Sequence, residues 1–404
     1  MIRSGCRASA TGRPELADAP LAAVLAIDGG NSKTDVALIA PDGAVLAAIR
    51  GPGASHEDHG VAPAMGILDG LVRSAAAHAG WRSGIIASHT SACLAGADLP
   101  EEEAQLTAAL RLCCWSRTAV AVNDTFAVLR AGLSAAEAPG DDDEAGAGVG
   151  RWPGGADRPW GVAVTCGAGI NCVAVAPDGR TARYLAHGIL TGDWGGGEGL
   201  GEQVMWHAMR AEDGRGPATA LAPAAAAHFG LPSVTDVAIA MHKGQLGDDD
   251  LLGLTSVLFA AAAAGDQVAR ELVERQAAEI CAMAVAAMRR LGLPPAGTPV
   301  VLGGGLLEAR DTLLTSAVTS QLAAAAPGAV PRVVDIPPIA GAALLGLDHL
   351  GAGAAEARRL RRCYRTVGLV TAVGALADPV SFPSAAEIRK HARKTGTATR
   401  TSRY

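Results

Sequence analysis

Residues 26–40 decide the fold and read Ala26-Ile27-Asp28-Gly29-Gly30-Asn31-Ser32-Lys33-Thr34-Asp35-Val36-Ala37-Leu38-Ile39-Ala40. An apolar run stops at Asp28, a turn of small and hydroxyl-bearing residues follows, and a second apolar run leaves it. The pattern predicts two strands joined by a tight turn. Such a turn suits phosphate, because glycine lets the backbone approach an anion and Ser32, Lys33 and Thr34 supply donors. Asp28 would then hold Mg²⁺ or its waters, although an ordinary hairpin with a polar tip gives the same pattern.

A second copy of this unit follows 136 positions later. Residues 36–43 align without a gap to residues 172–179, and both copies end in Pro-Asp-Gly. The Gly-rich turn before the second copy falls on residues 165–171. Because self-similarity at a fixed offset indicates repeated structural units, the sequence predicts two related halves, each aiming a phosphate-binding turn at a shared cleft.

An acid also follows a later predicted strand. Residues 119–122 are apolar and deliver Asn123 and Asp124 at the C-terminal end of the strand, where open α/β sheets place functional groups. A carboxylate there could accept the proton of an attacking hydroxyl, whereas an acid after a buried strand is also a common helix N-cap.

Two more glycine clusters lie in the second half. Four glycines surround Asp193 within residues 192–197, which indicates a backbone close to a ligand. A run of three glycines, 303–305, follows a predicted strand at 299–302 and precedes a helix, an arrangement that suits the adenosine or phosphate of a nucleotide.

Taken in order, these motifs resemble those of the actin, sugar kinase and Hsp70 superfamily. Within it they are similar to the BadF/BadG/BcrA/BcrD-type ATPases, which include N-acetylglucosamine kinases, and the resemblance covers residues 20–352. It implies an α/β fold of duplicated RNase H-like (actin-like ATPase) domains, with mixed five-stranded sheets flanked by helices and an interdomain cleft. It also implies ATP and Mg²⁺ as cofactors.

The resemblance assigns roles to single residues. Asp124 matches the catalytic base, and Asp28 and Asp193 would organise the metal. The residues expected to bind ATP are Gly29, Gly30, Asn31, Ser32, Lys33, Thr34, Gly167, Ala168, Gly169, Gly303, Gly304 and Gly305. The residues expected to bind the sugar are Ser55, His56, Asn123, Asn171 and Asp193. Ser55 stands where the kinases usually have Asn, and a polar loop that caps the next helix would explain it equally well.

The expected domain organisation follows from these motifs and from composition. The predicted segments are an N-terminal extension (1–20), a first actin-like domain (21–133), a flexible acidic and Gly-rich loop (134–159), a second actin-like domain (160–352) with a helical part (217–292), and a basic tail (353–404). The acids of 98–103 are assigned to the start of a helix, where they favour its dipole.

Composition restricts the class of protein. Hydrophobic residues make up 49% of the chain and aromatic residues only 3%, so Ala, Val and Leu must form two cores in 404 residues. No apolar run is long enough to span a bilayer without Gly or charge, and residues 1–20 lack the apolar segment of a signal peptide. The eight cysteines lack metal-ligand spacing, which indicates reduced thiols in a cytoplasmic protein.

Charge is distributed unevenly along the chain. Residues 350–404 hold eleven Arg and Lys but three acids, whereas the rest of the chain holds 23 basic and 37 acidic residues. An acidic body makes nucleic acid an unlikely main ligand. The tail is expected to be solvated, with residues 358–362 forming a helix end before a disordered arm, although contact with nucleic acid or another subunit, including a homodimer partner, stays open.

The first functional hypothesis is an ATP-dependent sugar kinase that phosphorylates a hydroxyl, expected to be the 6-hydroxyl, of an amino sugar such as N-acetylglucosamine or glucosamine. The alternative is an ATPase that activates a partner enzyme. Activators of that kind hold an iron–sulfur cluster between subunits with cysteines, and the cysteines here show no such arrangement.

Overall fold

The computed structural model describes residues 21–81, 83–133 and 159–366. The predicted N-terminal extension, nearly all of the predicted loop at 134–159 and residues 367–404 of the predicted tail lie outside the described residues.

The first half forms a mixed five-stranded sheet. Its strands are β1 (Ala22–Gly29), β2 (Lys33–Ile39), β3 (Val45–Pro52), β4 (Ala87–Leu94) and β5 (Ser116–Asn123). They lie in the order β3-β2-β1-β4-β5, with β1 antiparallel to β2 and parallel to β4. Both faces of β1 are covered, which is why its sequence is continuously apolar instead of alternating.

The second half repeats this sheet. Its strands are β6 (Gly161–Cys166), β7 (Ile170–Val175), β8 (Thr181–Arg183), β9 (Pro299–Gly303) and β10 (Val330–Val333). Their order, β10-β9-β6-β7-β8, gives each strand the neighbours that its counterpart has in the first sheet. The prediction of a duplicated α/β fold with mixed five-stranded sheets is confirmed.

The two copies agree down to single hydrogen bonds. In the first copy the N–H of Ala40 donates to the carbonyl of Ala44, and in the second the N–H of Ala176 donates to Arg180, both at 2.8 Å. The glycine of each Pro-Asp-Gly turn has positive φ, 81° at Gly43 and 88° at Gly179. The turn conformation requires glycine at that point, which explains why the repeat is visible in the sequence.

Helices flank both sheets. They are α1 (His56–His59), α2 (Val61–His78), α3 (Pro100–Leu112), α4 (Thr125–Gly132), α5 (Gly196–Glu212), α6 (Leu221–His228), α7 (Val234–His242), α8 (Leu254–Ala263), α9 (Gln267–Leu291), α10 (Gly305–Glu308), α11 (Thr312–Ala325), α12 (Pro338–His349) and α13 (Ala354–Thr366). Short 3₁₀ turns occupy Gly188–Thr191 and Asp248–Gly253. The longest helix, α9, begins where the Asp266 side chain accepts the N–H of Ala269, and it ends at Gly292 in the left-handed conformation.

Two helices cross between the halves, which differs from the predicted domain boundaries. Helix α4 follows the first sheet but packs its Val128 and Leu129 against the second, beside Val301. Helix α12 follows the second sheet but packs against β1 of the first. The two helices touch at Gly341, where an added Cβ would lie 1.9 Å from the carbonyl oxygen of Ala127. Residues 338–349 therefore belong to the first lobe by packing, although the prediction placed them in the second domain.

The predicted solvated tail is wrong for residues 354–366. They form α13, whose Leu360 and Tyr364 are buried in the core of the first lobe. Arg361 is buried as well and donates to the backbone carbonyls of Arg130 and Ala131 at the end of α4. The helix agrees with the helix end that the arginine run suggested, but a composition rich in arginine did not reveal that one face of this amphipathic helix is buried.

The described cysteines are free, and four of them are buried: Cys93, Cys166, Cys172 and Cys281. Burial raises the pKa of the Cys166 thiol to about 12. These thiols therefore stay protonated near neutral pH and act as small apolar side chains, in line with the sequence analysis.

Within the described ranges, no single helix combines the length and apolarity needed to cross a membrane. The segments 248–263 and 267–291 meet that criterion only as a pair, and they are bent by 113° relative to each other.

Candidate functional site

Three parallel strand ends form one edge of the first sheet. Gly29 of β1 pairs with Leu94 of β4, and Leu94 pairs with Asn123 of β5. This register places Asp28 and Asp124 on the two sides of the end of β4. The carboxyl ends of parallel strands are where such sheets carry functional groups.

The carboxylates at this edge perturb one another. The pKa of Asp28 is raised to about 8, chiefly by burial and also by the negative charges of Asp124 and Asp35, against the lowering effect of Lys33 and Arg50. Burial also raises the pKa of Asp124, while hydrogen bonds with Thr125 oppose the shift. A raised pKa makes a carboxylate a better proton acceptor, which is what the predicted role of Asp124 as a base requires.

Asp35 differs from these two acids because it already has a partner. Its carboxylate accepts from Nε and one terminal nitrogen of Arg50, at 2.7 and 2.8 Å. Asp35 of β2 is the register partner of Asp28 in β1 and of Arg50 in β3. The bidentate ion pair with Arg50 therefore fixes β2 against β3. Neither Asp35 nor Arg50 was predicted as a site residue.

The turn after β1 has an exposed tip. The N–H of Gly30 donates to the carbonyl of Lys33 at 2.9 Å and closes the turn, leaving Asn31, Ser32 and Lys33 exposed. Thr34 is fully buried, and its hydroxyl has no hydrogen-bond partner among the described residues. A buried hydroxyl without a partner is costly, so Thr34 carries a polar group that the described protein leaves unsatisfied.

The turn before β7 has open space beside its two glycines, Gly167 and Gly169. The N–H of Gly167 donates to Gly169, and the carbonyls of Gly167 and Ala168 accept from the first turn of α5, at 2.8 and 2.9 Å. A Cβ added at Gly167 or Gly169 would meet nothing within 4 Å, and neither residue has positive φ. Packing and backbone conformation therefore do not require these two glycines, whereas a ligand lying against the turn would.

The triple glycine joins this turn. Gly303 of β9 pairs with Thr165 of β6, and a Cβ at Gly304 would lie 2.5 Å from the carbonyl oxygen of Cys166. Gly303 is equally tight against Val128 of α4, at 2.4 Å. Two of the three glycines are thus explained by packing inside the protein, and only Gly305 has open space around it.

Ser55 lies close to the first turn. The chain before it passes so near that a Cβ at Gly53 would lie 1.8 Å from the carbonyl oxygen of Asn31. Ser55 is buried, does not cap α1 with its side chain, and its hydroxyl has no partner among the described residues. The capping alternative is therefore not what the structure shows. His56 is the first residue of α1 and is half-buried.

A further acid, Asp98, was missed as a site residue. It lies in the loop after β4, and one of its carboxylate oxygens, Oδ1, accepts from the amide of Asn123 at 2.8 Å and from that of Asn171 at 3.2 Å. Asn123 and Asn171, predicted to bind sugar, thus both bind this carboxylate. The signal was available, because β4 lies between β1 and β5 and its end should carry functional groups as theirs do.

Glu103 lies in the first turn of α3, as predicted, but its side chain does not cap the helix. Glu102 does cap α3 by accepting from the N–H of Asp98 and Leu99. Glu103 instead accepts the N–H of Asn123 at 3.1 Å and forms an ion pair with Arg183 of the second sheet at 2.9 Å. Charge near a helix N-terminus cannot reveal which of two neighbouring acids turns away from the helix.

Asp193 lies in a different part of the site. It is buried and accepts from the Thr191 hydroxyl at 2.5 Å, and its charge acts on Tyr184. The structure describes no direct interaction between Asp193 and Asp28, and a metal held by both acids stays a prediction. The described chain holds no cluster of three His, Cys, Asp or Glu that could bind a metal alone. A divalent cation at Asp28 would need phosphate and water oxygens as its other ligands.

Comparison with known proteins agrees with this architecture. The model of the BadF/BadG/BcrA/BcrD ATPase family matches residues 25–346. An N-acetyl-D-glucosamine kinase of Dictyostelium discoideum is 26% identical over 191 residues, covering 47% of this chain and 60% of that protein. An N-acetylmuramic acid/N-acetylglucosamine kinase of Clostridium acetobutylicum is 23% identical over 288 residues, covering 70% of this chain and 85% of that protein.

A solved structure shows the same fold. It is that of a protein from Chromobacterium violaceum, named as a candidate N-acetylglucosamine kinase, with a TM-score of 0.60 at 21% identity, over 81% of this chain and all of that one. The duplicated sheets and the strand-end acids define a two-lobed protein of the actin-like ATPase fold. Since the family model spans most of the chain, the protein belongs to the BadF/BadG/BcrA/BcrD ATPase family.

Proposed function

We propose that the chain is an ATP-dependent kinase that transfers the γ-phosphoryl group of ATP to the 6-hydroxyl of an amino sugar, N-acetylglucosamine or glucosamine. The observation that carries the proposal is the Asp124 carboxyl, which lies at a strand end with a raised pKa and no cationic partner among the described residues. The names of the two relatives support the choice of acceptor.

In the proposed reaction Asp124 accepts the proton of the sugar hydroxyl as its oxygen attacks the γ-phosphorus. The bond between that phosphorus and the bridging oxygen breaks, and ADP leaves with the electron pair. A sugar hydroxyl is a poor nucleophile, so a carboxylate within hydrogen-bond reach lowers the barrier. The raised pKa of Asp124 makes it a better base than an exposed aspartate.

The two turns would hold the phosphates. Among the described residues, the N–H groups of Asn31, Ser32, Ala168 and Gly169 in the two turns donate to no backbone carbonyl. Backbone donors of this kind bind anions without a side chain. Mg²⁺ would bind at Asp28, where positive charge would relieve the repulsion among the acids and offset the charge of the phosphates.

The sugar would bind between Ser55, His56 and the loop of Asp193. The unpartnered Ser55 hydroxyl supplies a donor and acceptor for a sugar hydroxyl. Closing the cleft would exclude water, which otherwise competes for the phosphoryl group.

The test is a coupled assay of ADP release with a panel of hexoses and amino sugars, including a reaction without sugar. We expect release that depends on N-acetylglucosamine or glucosamine, and Asp124→Asn should lower kcat by about 10²–10⁴-fold while ATP binding persists. The matched control is Asp178→Asn, an exposed acid in the turn after β7. Near-full turnover in Asp124→Asn, or ADP release that no sugar accelerates, would refute the proposal. The second result would favour an ATPase that acts on a partner.

A further inference from the structure

Asp98 connects the two lobes through a set of polar contacts that the reaction described above does not use. This interlobe latch consists of Asp98 and Glu103 in the first lobe and of Asn171 and Arg183 in the second. Asn171 donates to Asp98 at 3.2 Å. Arg183 pairs with Glu103 at 2.9 Å and also donates to the carbonyl of Ala97 at 2.8 Å.

On the first lobe, the latch fixes the backbone on both sides of Asp124. The N–H of Asn123 donates to Glu103, and its side-chain amide donates to Asp98. The side-chain oxygen of Asn123 accepts the N–H of Thr125 at 2.9 Å, which starts α4. The backbone N–H and the side-chain amide of Asn123, directly before Asp124, are thereby held by an acid of α3 and by an acid of the loop.

On the second lobe, the latch fixes the phosphate turn. Asn171 follows the turn directly and pairs with Thr165 across the hairpin. Its side-chain oxygen accepts the N–H of Cys172 at 2.7 Å, so the amide nitrogen is left to point toward Asp98. A single carboxylate oxygen thus connects the neighbour of the base to the turn of the opposite lobe.

We propose that Asp98 is a positioning residue: its carboxylate orients Asp124 through Asn123 and holds the opposite phosphate turn through Asn171, so that lobe closure and alignment of the base occur together. The inference rests on the proposed function for its chemical consequence but not for the contact itself.

The charge of Asp98 is sensitive to its surroundings. Burial raises its pKa to about 7, helped by Asp124, by Glu57 of α1 and by Glu102 of α3, while His187 lowers it. The ionised form accepts both amide donors strongly, and protonation below that pH weakens them. The latch should therefore loosen as the pH falls through 7.

Three variants test the latch. Asp98→Ala removes the acceptor and should lower kcat by about 10–100-fold, because hydrogen bonds to charged groups contribute most strongly. Asp98→Asn keeps the shape but not the charge, and it should shift the acid limb of the kcat profile to lower pH. Arg183→Ala should raise the KM for sugar more than it lowers kcat, and it should leave the acid limb in place. Asp178→Asn again serves as the control.

Hydrogen–deuterium exchange provides a readout that does not depend on activity. In both Asp98→Ala and Arg183→Ala, the amides of residues 167–172 should exchange faster than in the unaltered protein. If these amides exchange faster in the two variants but the unaltered protein phosphorylates no sugar, the latch is supported and only the proposed function is refuted. Unchanged exchange with unchanged kcat in folded Asp98→Ala would overturn the latch. If that variant does not fold, an unshifted pH profile in Asp98→Asn would overturn it instead.

Discussion

The crossing of α4 and α12 makes a quantitative prediction at Gly341. A Cβ there would lie 1.9 Å from the carbonyl oxygen of Ala127, whereas an ordinary contact begins at 3.4 Å. Gly341→Ala must therefore move the two helices apart by about 1.5 Å, since the obstructing carbonyl oxygen of Ala127 belongs to the backbone and cannot rotate away. Overpacking of this kind costs about 3 kcal/mol, and the better helix propensity of alanine returns about 1 kcal/mol. We therefore expect the free energy of unfolding of Gly341→Ala to be lower than that of the unaltered protein by about 2 kcal/mol.

The same change should affect catalysis, because α4 begins directly after Asp124. Displacing a catalytic group by about 1 Å can cost roughly 100-fold in rate, so kcat/KM should fall more than stability alone explains. The assays are urea unfolding and ADP release at a temperature where the variant remains folded.

The control is Gly70→Ala in α2, where a Cβ meets nothing within 4 Å. The free energy of unfolding of that variant should be higher by about 0.5–1 kcal/mol, and its activity should be unchanged. If Gly341→Ala were as stable and as active as Gly70→Ala, the close crossing of the two helices would be refuted.

Two further predictions concern pH and ATP. His89 is buried, stacks on His349 at 4.0 Å, and has its pKa lowered to about 4, chiefly by burial. In the unfolded chain His89 binds a proton below about pH 6.5, whereas in the native protein it binds one only below about pH 4. The free energy of unfolding should therefore fall by roughly 3 kcal/mol as the pH falls from 6.5 to 4. Unfolding measured across this range should show a smaller pH slope for His89→Phe, and an identical slope would contradict the assignment. Gly167→Ala should leave the unfolding free energy nearly unchanged, because its Cβ meets open space, yet weaken ATP binding in calorimetry about tenfold. Unweakened binding, with Gly66→Ala as the reference, would show that no phosphate approaches this turn.

Much of the architecture could be predicted because it depends on local patterns. The Pro-Asp-Gly turns at 41–43 and 177–179 need glycine at positive φ, so both copies keep the same letters at the same offset. Buried parallel strands are continuously apolar, which made β1 and β9 recognisable. Gly167 and Gly169 were also visible as a Gly-rich turn between two apolar runs.

Other features could not be read locally. The tail prediction failed at α13, because the burial of Leu360 and Tyr364 depends on a surface supplied by strands more than 300 positions away. The partners of Asp193 could not be predicted either: its carboxylate accepts from Thr191, and its charge acts on Tyr184. Glycines and acids in the sequence indicate which turns the backbone can form and where charge lies. They do not indicate which residues of other elements these turns and acids contact.

The sequence by itself determined the repeated strand-turn-strand units, the glycine turns and the acids at the strand ends, because each depends on the conformational preferences of a few adjacent residues. Only the tertiary structure decided that α4 and α12 each pack on the lobe opposite to the one they follow, and that Asp98, Glu103, Asn171 and Arg183 meet between the lobes. These contacts join residues 73 and 80 positions apart, and their partners are chosen by how the two sheets are placed against each other, which no local pattern encodes.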